Sequence, residues 1–207
     1  MAAAALLLMA ACGSNNASAT SGPADVAVKP TDLPKGMIQC DGSGTIDTFL
    51  NAVKTKDPTT YTSTKAEWDS AKTHGATSAY VVFYSDTKAH CATIQSSSNT
   101  DLGSANFPLV VNFVIQFKDE AAAATGYTTE SIFGFSQATI TSSATGVIKG
   151  VDTGLGKNSV VLIIAIASQS FYVADWQNKS YLVILGVINI DTTQSKKVAT
   201  NVNGRIH

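Results

Sequence analysis

Residues 160–190 read Val-Val-Leu-Ile-Ile-Ala-Ile-Ala-Ser-Gln-Ser-Phe-Tyr-Val-Ala-Asp-Trp-Gln-Asn-Lys-Ser-Tyr-Leu-Val-Ile-Leu-Gly-Val-Ile-Asn-Ile. Three runs rich in β-branched and aromatic residues, Val160 to Ala167, Phe171 to Trp176 and Tyr181 to Ile190, are parted only by short polar breaks. Such side chains suit a pleated, half-buried surface. Gln169-Ser170 and Asn178-Lys179 are separations of hairpin length. The stretch therefore predicts an antiparallel meander, and Val147 to Gly150 adds a strand just ahead of it.

Working outward, Tyr80 to Tyr84 has strand composition, and Leu109 to Phe117 carries apolar residues on both alternating faces, the pattern of a central strand covered on two sides. Asp119-Glu120 then opens an alanine-rich helix expected to end near Gly126, with carboxylates where the helix dipole favours them. Earlier, Ile46, Phe49, Leu50 and Val53 share one helical face. Asp57-Pro58 supplies an N-cap and a first-turn proline. Thr64 to Glu67 has capping-box spacing and predicts a further helix start, with Gly75 as a left-handed stop and Trp68 and Ala71 facing the core. At the far end, Asp191-Thr192-Thr193 caps a helix whose buried side is Val198, Val202 and Ile206, with Lys196, Lys197 and Arg205 on its solvated face. Helices, two strands, a helix, four strands and a helix make an α+β fold: one domain over residues 31–207, an antiparallel sheet with helices packed on its face or faces.

The totals narrow the function classes. The 207 residues are 44% hydrophobic, enough for a sizeable core, while only 14% are charged and the net charge is -1. No basic footprint for nucleic acid exists.

The N-terminus is the most directive stretch for location. Leu6 to Cys12, Leu-Leu-Leu-Met-Ala-Ala-Cys, resembles the lipobox of bacterial lipoproteins, in which a cysteine after small residues is lipidated and becomes the mature N-terminus. The resemblance implies a signal peptide over residues 1–11, acylation (palmitate among the acyl groups) at Cys12, and a domain anchored to the extracytoplasmic face of the cell membrane. Ala2 to Ala11 is too short to span a bilayer, which takes ~20 residues, and so fits a signal-peptide core. The Lys or Arg expected before it is absent, which points to a start codon upstream of Met1. Gly13 to Pro30 is rich in Ser, Ala, Asn, Thr and Gly, so residues 12–30 are expected to be the lipidated cysteine and a flexible tether. In an exported chain the remaining pair, Cys40 and Cys91, is expected to form a disulfide, the alternative being two buried thiols.

Chemistry-bearing motifs are scarce. The cluster Gly150, Gly154, Gly156-Lys157-Asn158 lacks the Ser or Thr a phosphate-binding loop needs after its lysine, and reads as a turn supplying positive φ. His74, His90 and His207 show no metal-ligand spacing, so neither a metal nor a cofactor is expected. Carboxylates such as Asp69, Asp86 and Asp152 could meet only in three dimensions.

Three further segments, residues 111–124 (Val-Asn-Phe-Val-Ile-Gln-Phe-Lys-Asp-Glu-Ala-Ala-Ala-Ala), 152–159 (Asp-Thr-Gly-Leu-Gly-Lys-Asn-Ser) and 198–206 (Val-Ala-Thr-Asn-Val-Asn-Gly-Arg-Ile), resemble small actinobacterial-type extracytoplasmic lipoproteins and sensor-like domains. That grouping carries no agreed activity to transfer; the expectation of a binding or sensing module without an evident catalytic site rests instead on an exported, low-charge, catalytically unmarked chain, its partners the membrane through the anchor and a small apolar ligand or an envelope protein. The aromatics near strand ends, Tyr80, Tyr84, Tyr172, Trp176 and Tyr181, are the candidate ligand contacts, against ordinary sheet packing. The alternatives are an envelope hydrolase whose carboxylate site assembles only on folding, and a purely structural envelope protein.

Overall fold

A computed structural model of the chain describes residues 21–96, 105–142, 145–166 and 168–207. The lipobox, Cys12 and Ala167 lie outside the described residues. Eight antiparallel strands form one sheet: β1 (Ile38–Gln39), β2 (Gly44–Thr45), β3 (Ala76–Ser85), β4 (Leu109–Phe117), β5 (Val147–Lys149), β6 (Ser159–Ile166), β7 (Gln169–Asn178) and β8 (Tyr181–Ile188). Their order is β1-β3-β4-β8-β7-β6-β5, with β2 also beside β3. The expected meander is present as β6-β7-β8, and β8 then pairs with β4, so the two halves of the chain share one sheet.

Both faces are covered, which explains why β4 and β8 are apolar on both sides. On one face lie α2 (Ile46–Lys56), α3 (Pro58–Thr73), α4 (Lys88–Ser96) and α5 (Glu120–Thr129), with α6 (Gln137–Ser142) over β6. On the other lie α1 (Pro23–Val26) and α7 (Thr192–Gly204). The fold is the expected single α+β domain. A disulfide joins Cys40, after β1, to Cys91 on α4, Cα atoms 5.2 Å apart. It closes a separation of 51 residues, a constraint on the unfolded chain of roughly 4 kcal/mol in the loop-entropy model.

Four local expectations differ from the structure. The tether does not run to residue 30: Pro23 to Val26 form a helix, and Val26, Ala27 and Val28 are buried in the core under α7. Three consecutive apolar residues suffice because distant groups hold them. The Asn112 side chain accepts the Val28 N–H at 2.9 Å and donates to the Ile184 carbonyl at 3.0 Å. Arg205, expected on a solvated face, donates to the Val26 and Ala27 carbonyls and, through both terminal nitrogens, to the buried carboxylate of Asp32. No helix starts at Thr64, which is buried inside α3; Asp57 already caps that helix, accepting the Thr60 N–H at 3.0 Å. Finally, α5 continues past Gly126 to Thr129, because that glycine lies against the Phe117 ring, where a Cβ would sit 2.5 Å from Cζ.

Candidate functional site

The site begins with the register of four strands. Val111, Gly186, Val173 and Leu162 lie side by side in one row across β4, β8, β7 and β6, all on the face of α2 to α6. The row on one side contains Phe113 and Ile184, and the row on the other contains Ile188, Phe171 and Ile164. Gly186 stands at the middle of the floor with no heavy atom within 4 Å of the place its Cβ would occupy. Above that gap is a cleft of about 210 Å³. Every lining residue is Val, Leu, Ile, Phe or Gly.

The wall is a tight turn between α5 and α6. Ile132 and Phe135 exchange backbone hydrogen bonds of 2.8 and 2.9 Å, and between them Phe133 and Gly134 both take positive φ, 53° and 73°. Positive φ is costly for a bulky residue, so something outside the turn must hold Phe133 there. Two things do. Its ring lies edge-on to Phe49 and Phe113, with centroids 5.5 and 5.6 Å away. The Glu67 carboxylate on α3 accepts the Phe133 N–H at 3.1 Å and the Gly134 N–H at 3.4 Å. Burial pushes the Glu67 carboxyl above the usual range; the two N–H donors oppose this and the neighbouring Glu130 adds to it. Glu130 itself is buried against His74 Nδ1 at 2.6 Å and accepts from the Thr129 hydroxyl.

In the row beside the floor, between Ile184 and Val160, sits Asp175. It is buried, accepts the Gln137 backbone N–H, and its Oδ1 has no hydrogen-bond partner among the described residues. Desolvation holds its pKa well above the ordinary value.

None of the five aromatics singled out from the sequence lines this cleft. Tyr80, Tyr84, Tyr172, Trp176 and Tyr181 lie on the opposite face, in the core beneath α1 and α7. Their polar ends serve the fold: Tyr84 donates to the Val28 carbonyl, Tyr181 to the Ser21 carbonyl, and Trp176 Nε1 to Asn203. Burial pushes the Tyr172 hydroxyl up to about 12. Gly186, Phe133, Phe135 and Glu67 were missed. A visible signal existed for Gly186, a lone glycine within an otherwise unbroken strand, which marks a bulge or a close approach.

A second, polar groove of about 820 Å³ lies at the other end of α7 from Arg205, where Asp86, Asp191, Lys35 and Lys197 line it. Asp86 meets His90 Nδ1 at 2.5 Å, and His90 stacks on Phe107. The His90 hydrogen bond holds Asp86 below the usual carboxylate range, and the α7 N–H groups of Gln194 and Thr193 do the same for Asp191. Neither carboxylate is shifted towards the protonated form that a carboxylic general acid needs. Asp69 is paired with Lys65 and Lys72 on α3, while Asp152 lies in the Gly150–Thr153 turn at the opposite end of the sheet from Asp86. Among the described residues no cluster of His, Cys, Asp and Glu has the makings of a metal site, and no helix is long and apolar enough to cross a membrane.

What fold and cleft define together is a one-domain α+β protein with a hydrocarbon-lined cleft on one face of its sheet. No protein-family model matches the chain, and no curated protein does. Among solved structures it is similar to the extracellular domain of PknH from Mycobacterium tuberculosis, with a TM-score of 0.48 and 11% sequence identity over 90% of this chain and 97% of that one.

Proposed function

We propose that this protein is an extracytoplasmic binding or sensing module, held to the outer face of the cell membrane by acyl groups on Cys12, that takes a small apolar ligand into the cleft over Gly186. One observation carries the ligand reading. A central strand normally places a β-branched side chain at such a position, yet here a glycine leaves open space above it, ringed by apolar side chains. Ligand sites are mostly apolar and largely preformed, and an empty apolar space of this size has room for a hydrocarbon group. The membrane anchor rests on Leu6 to Cys12 alone.

The polar groove lined by Asp86 and Asp191, with His90 hydrogen-bonded to Asp86, favours a second reading, an envelope hydrolase. It is the weaker one, because both of its carboxylates are held in the form that accepts protons and neither in the form that gives them.

The test is a native mass spectrum of the full chain purified from its own envelope. Extra mass lost on denaturation is a cleft ligand. Extra mass that stays with the polypeptide and disappears in Cys12→Ser is the acyl anchor. A bare chain of unprocessed mass overturns both halves of the reading.

A further inference from the structure

Phe133 separates the cleft from the aromatic cluster behind it. Its ring lines the cleft, while Phe49 and Phe83, with ring centroids 5.5 and 6.1 Å from it, do not. The cleft therefore stops at that ring, and the ring stands there because the Ile132–Phe135 turn holds a positive φ at residue 133. Nothing inside the turn offsets that strain except its own pair of backbone bonds. The polar restraint from outside the turn is Glu67 on α3, whose two carboxylate oxygens each take one of the two turn N–H groups.

We propose that Phe133 is the residue that sets the length of hydrocarbon the cleft accepts, and that Glu67 is the positioning residue that keeps Phe133 in place. This deepens the binding reading above and rests on it. A cleft of about 210 Å³ holds a chain of about seven methylene groups, taking for each roughly the ~30 Å³ of a liquid water. The all-hydrocarbon lining gives no polar end a partner, so the chain enters tail first and its head group stays at the mouth.

The experiment titrates the full chain carrying Cys12→Ser with straight-chain alcohols of six to twelve carbons, by calorimetry, and repeats the series with Glu67→Ala, Glu67→Gln and Phe133→Leu. Affinity in the parent rises about fourfold per added methylene and levels off near eight carbons. Phe133→Leu moves the plateau to longer chains. Glu67→Ala blurs it and weakens octanol binding at least tenfold, and Glu67→Gln, which keeps an acceptor oxygen, restores most of that loss. Amide exchange at Phe133 and Gly134 rises in Glu67→Ala while the thermal midpoint holds, a split that a merely structural role would not give. A parent that binds no alcohol of any length sinks the binding reading itself. A parent that binds, with plateau and affinity unchanged in all three variants, overturns this proposal and leaves that reading standing.

Discussion

Asp175 and Gly186 stand in adjacent rows of the same sheet face and break the same rule in different ways, one by placing an ionisable group where a β-branched residue belongs and the other by placing nothing there. Asp175 has one unpaired, buried oxygen, a cost of about 1–3 kcal/mol for a neutral group and more for a charged one. Its pKa is raised in the folded state, so the folded protein binds this proton more tightly than the unfolded chain. Stability is then greatest below the unfolded pKa and is lost as pH rises through the folded one. Asp175→Asn should leave the urea midpoint at pH 4 almost unchanged and raise it at alkaline pH, flattening the profile between. A variant curve parallel to the parent's at every pH would show that Asp175 does not titrate in this way. Residue-level features of this kind were only half legible in the sequence. The lone glycine in β8 is visible as an anomaly, whereas Glu67 has capping-box spacing from Thr64 and its true partners, the N–H groups of residues 133 and 134, are 66 and 67 positions away.

At the scale of elements, caps were legible because their causes are local: Asp57, Asp119 and Asp191 each accept backbone N–H groups of the helix they begin, whereas Gln169 and Ser170, expected as a hairpin break, lie within β7, paired with Ile166 and Ala165. The segment from Pro23 to Asp32 was not legible either, since its composition is that of a tether and its restraints come from α7 and β4. Arg205 is the main one, gathering the Val26 and Ala27 carbonyls and Asp32. Burial alone would raise the pKa of Asp32, but hydrogen bonds from Arg205, the Lys29 N–H and Asn201 bring it below the usual value. Arg205→Ala leaves that buried carboxylate without its cation and should cost roughly 3 kcal/mol. Because a depressed pKa stabilises above the unfolded value and that stability is lost as pH falls through the folded one, the deficit should be larger at pH 7 than at pH 2. Urea unfolding at the two pH values checks this; an equal deficit at both would mean that the arginine acts by packing alone.

Across the whole molecule, one sheet separates two cores, and the cleft over Gly186 lies on the side of α2 to α6. The face under α1 and α7 is filled, and the aromatics that looked like ligand contacts are its packing. Strand-end position could not reveal this, because alternation says that neighbours point to opposite faces without saying which face is full. The other face is covered by two groups of helices, α2 to α5 over β3, β4 and β8, and α6 over β6, and the cleft lies where the floor residue is glycine. The meander, the two-sided strand β4 and the α+β class were readable from composition and period, whereas the floor depends on β4 pairing with β8, where Val111 meets Gly186, 75 positions away. On the binding function proposed above, this floor is kept open to receive an apolar ligand. Calorimetric titration of Gly186→Leu with octanol tests this, because a Cβ at that position meets no heavy atom within 4 Å and the side chain grows into the cleft. The expected result is a Kd at least tenfold weaker than the parent's, with a thermal midpoint equal to or above it. Unchanged octanol affinity in a folded Gly186→Leu protein would contradict the account.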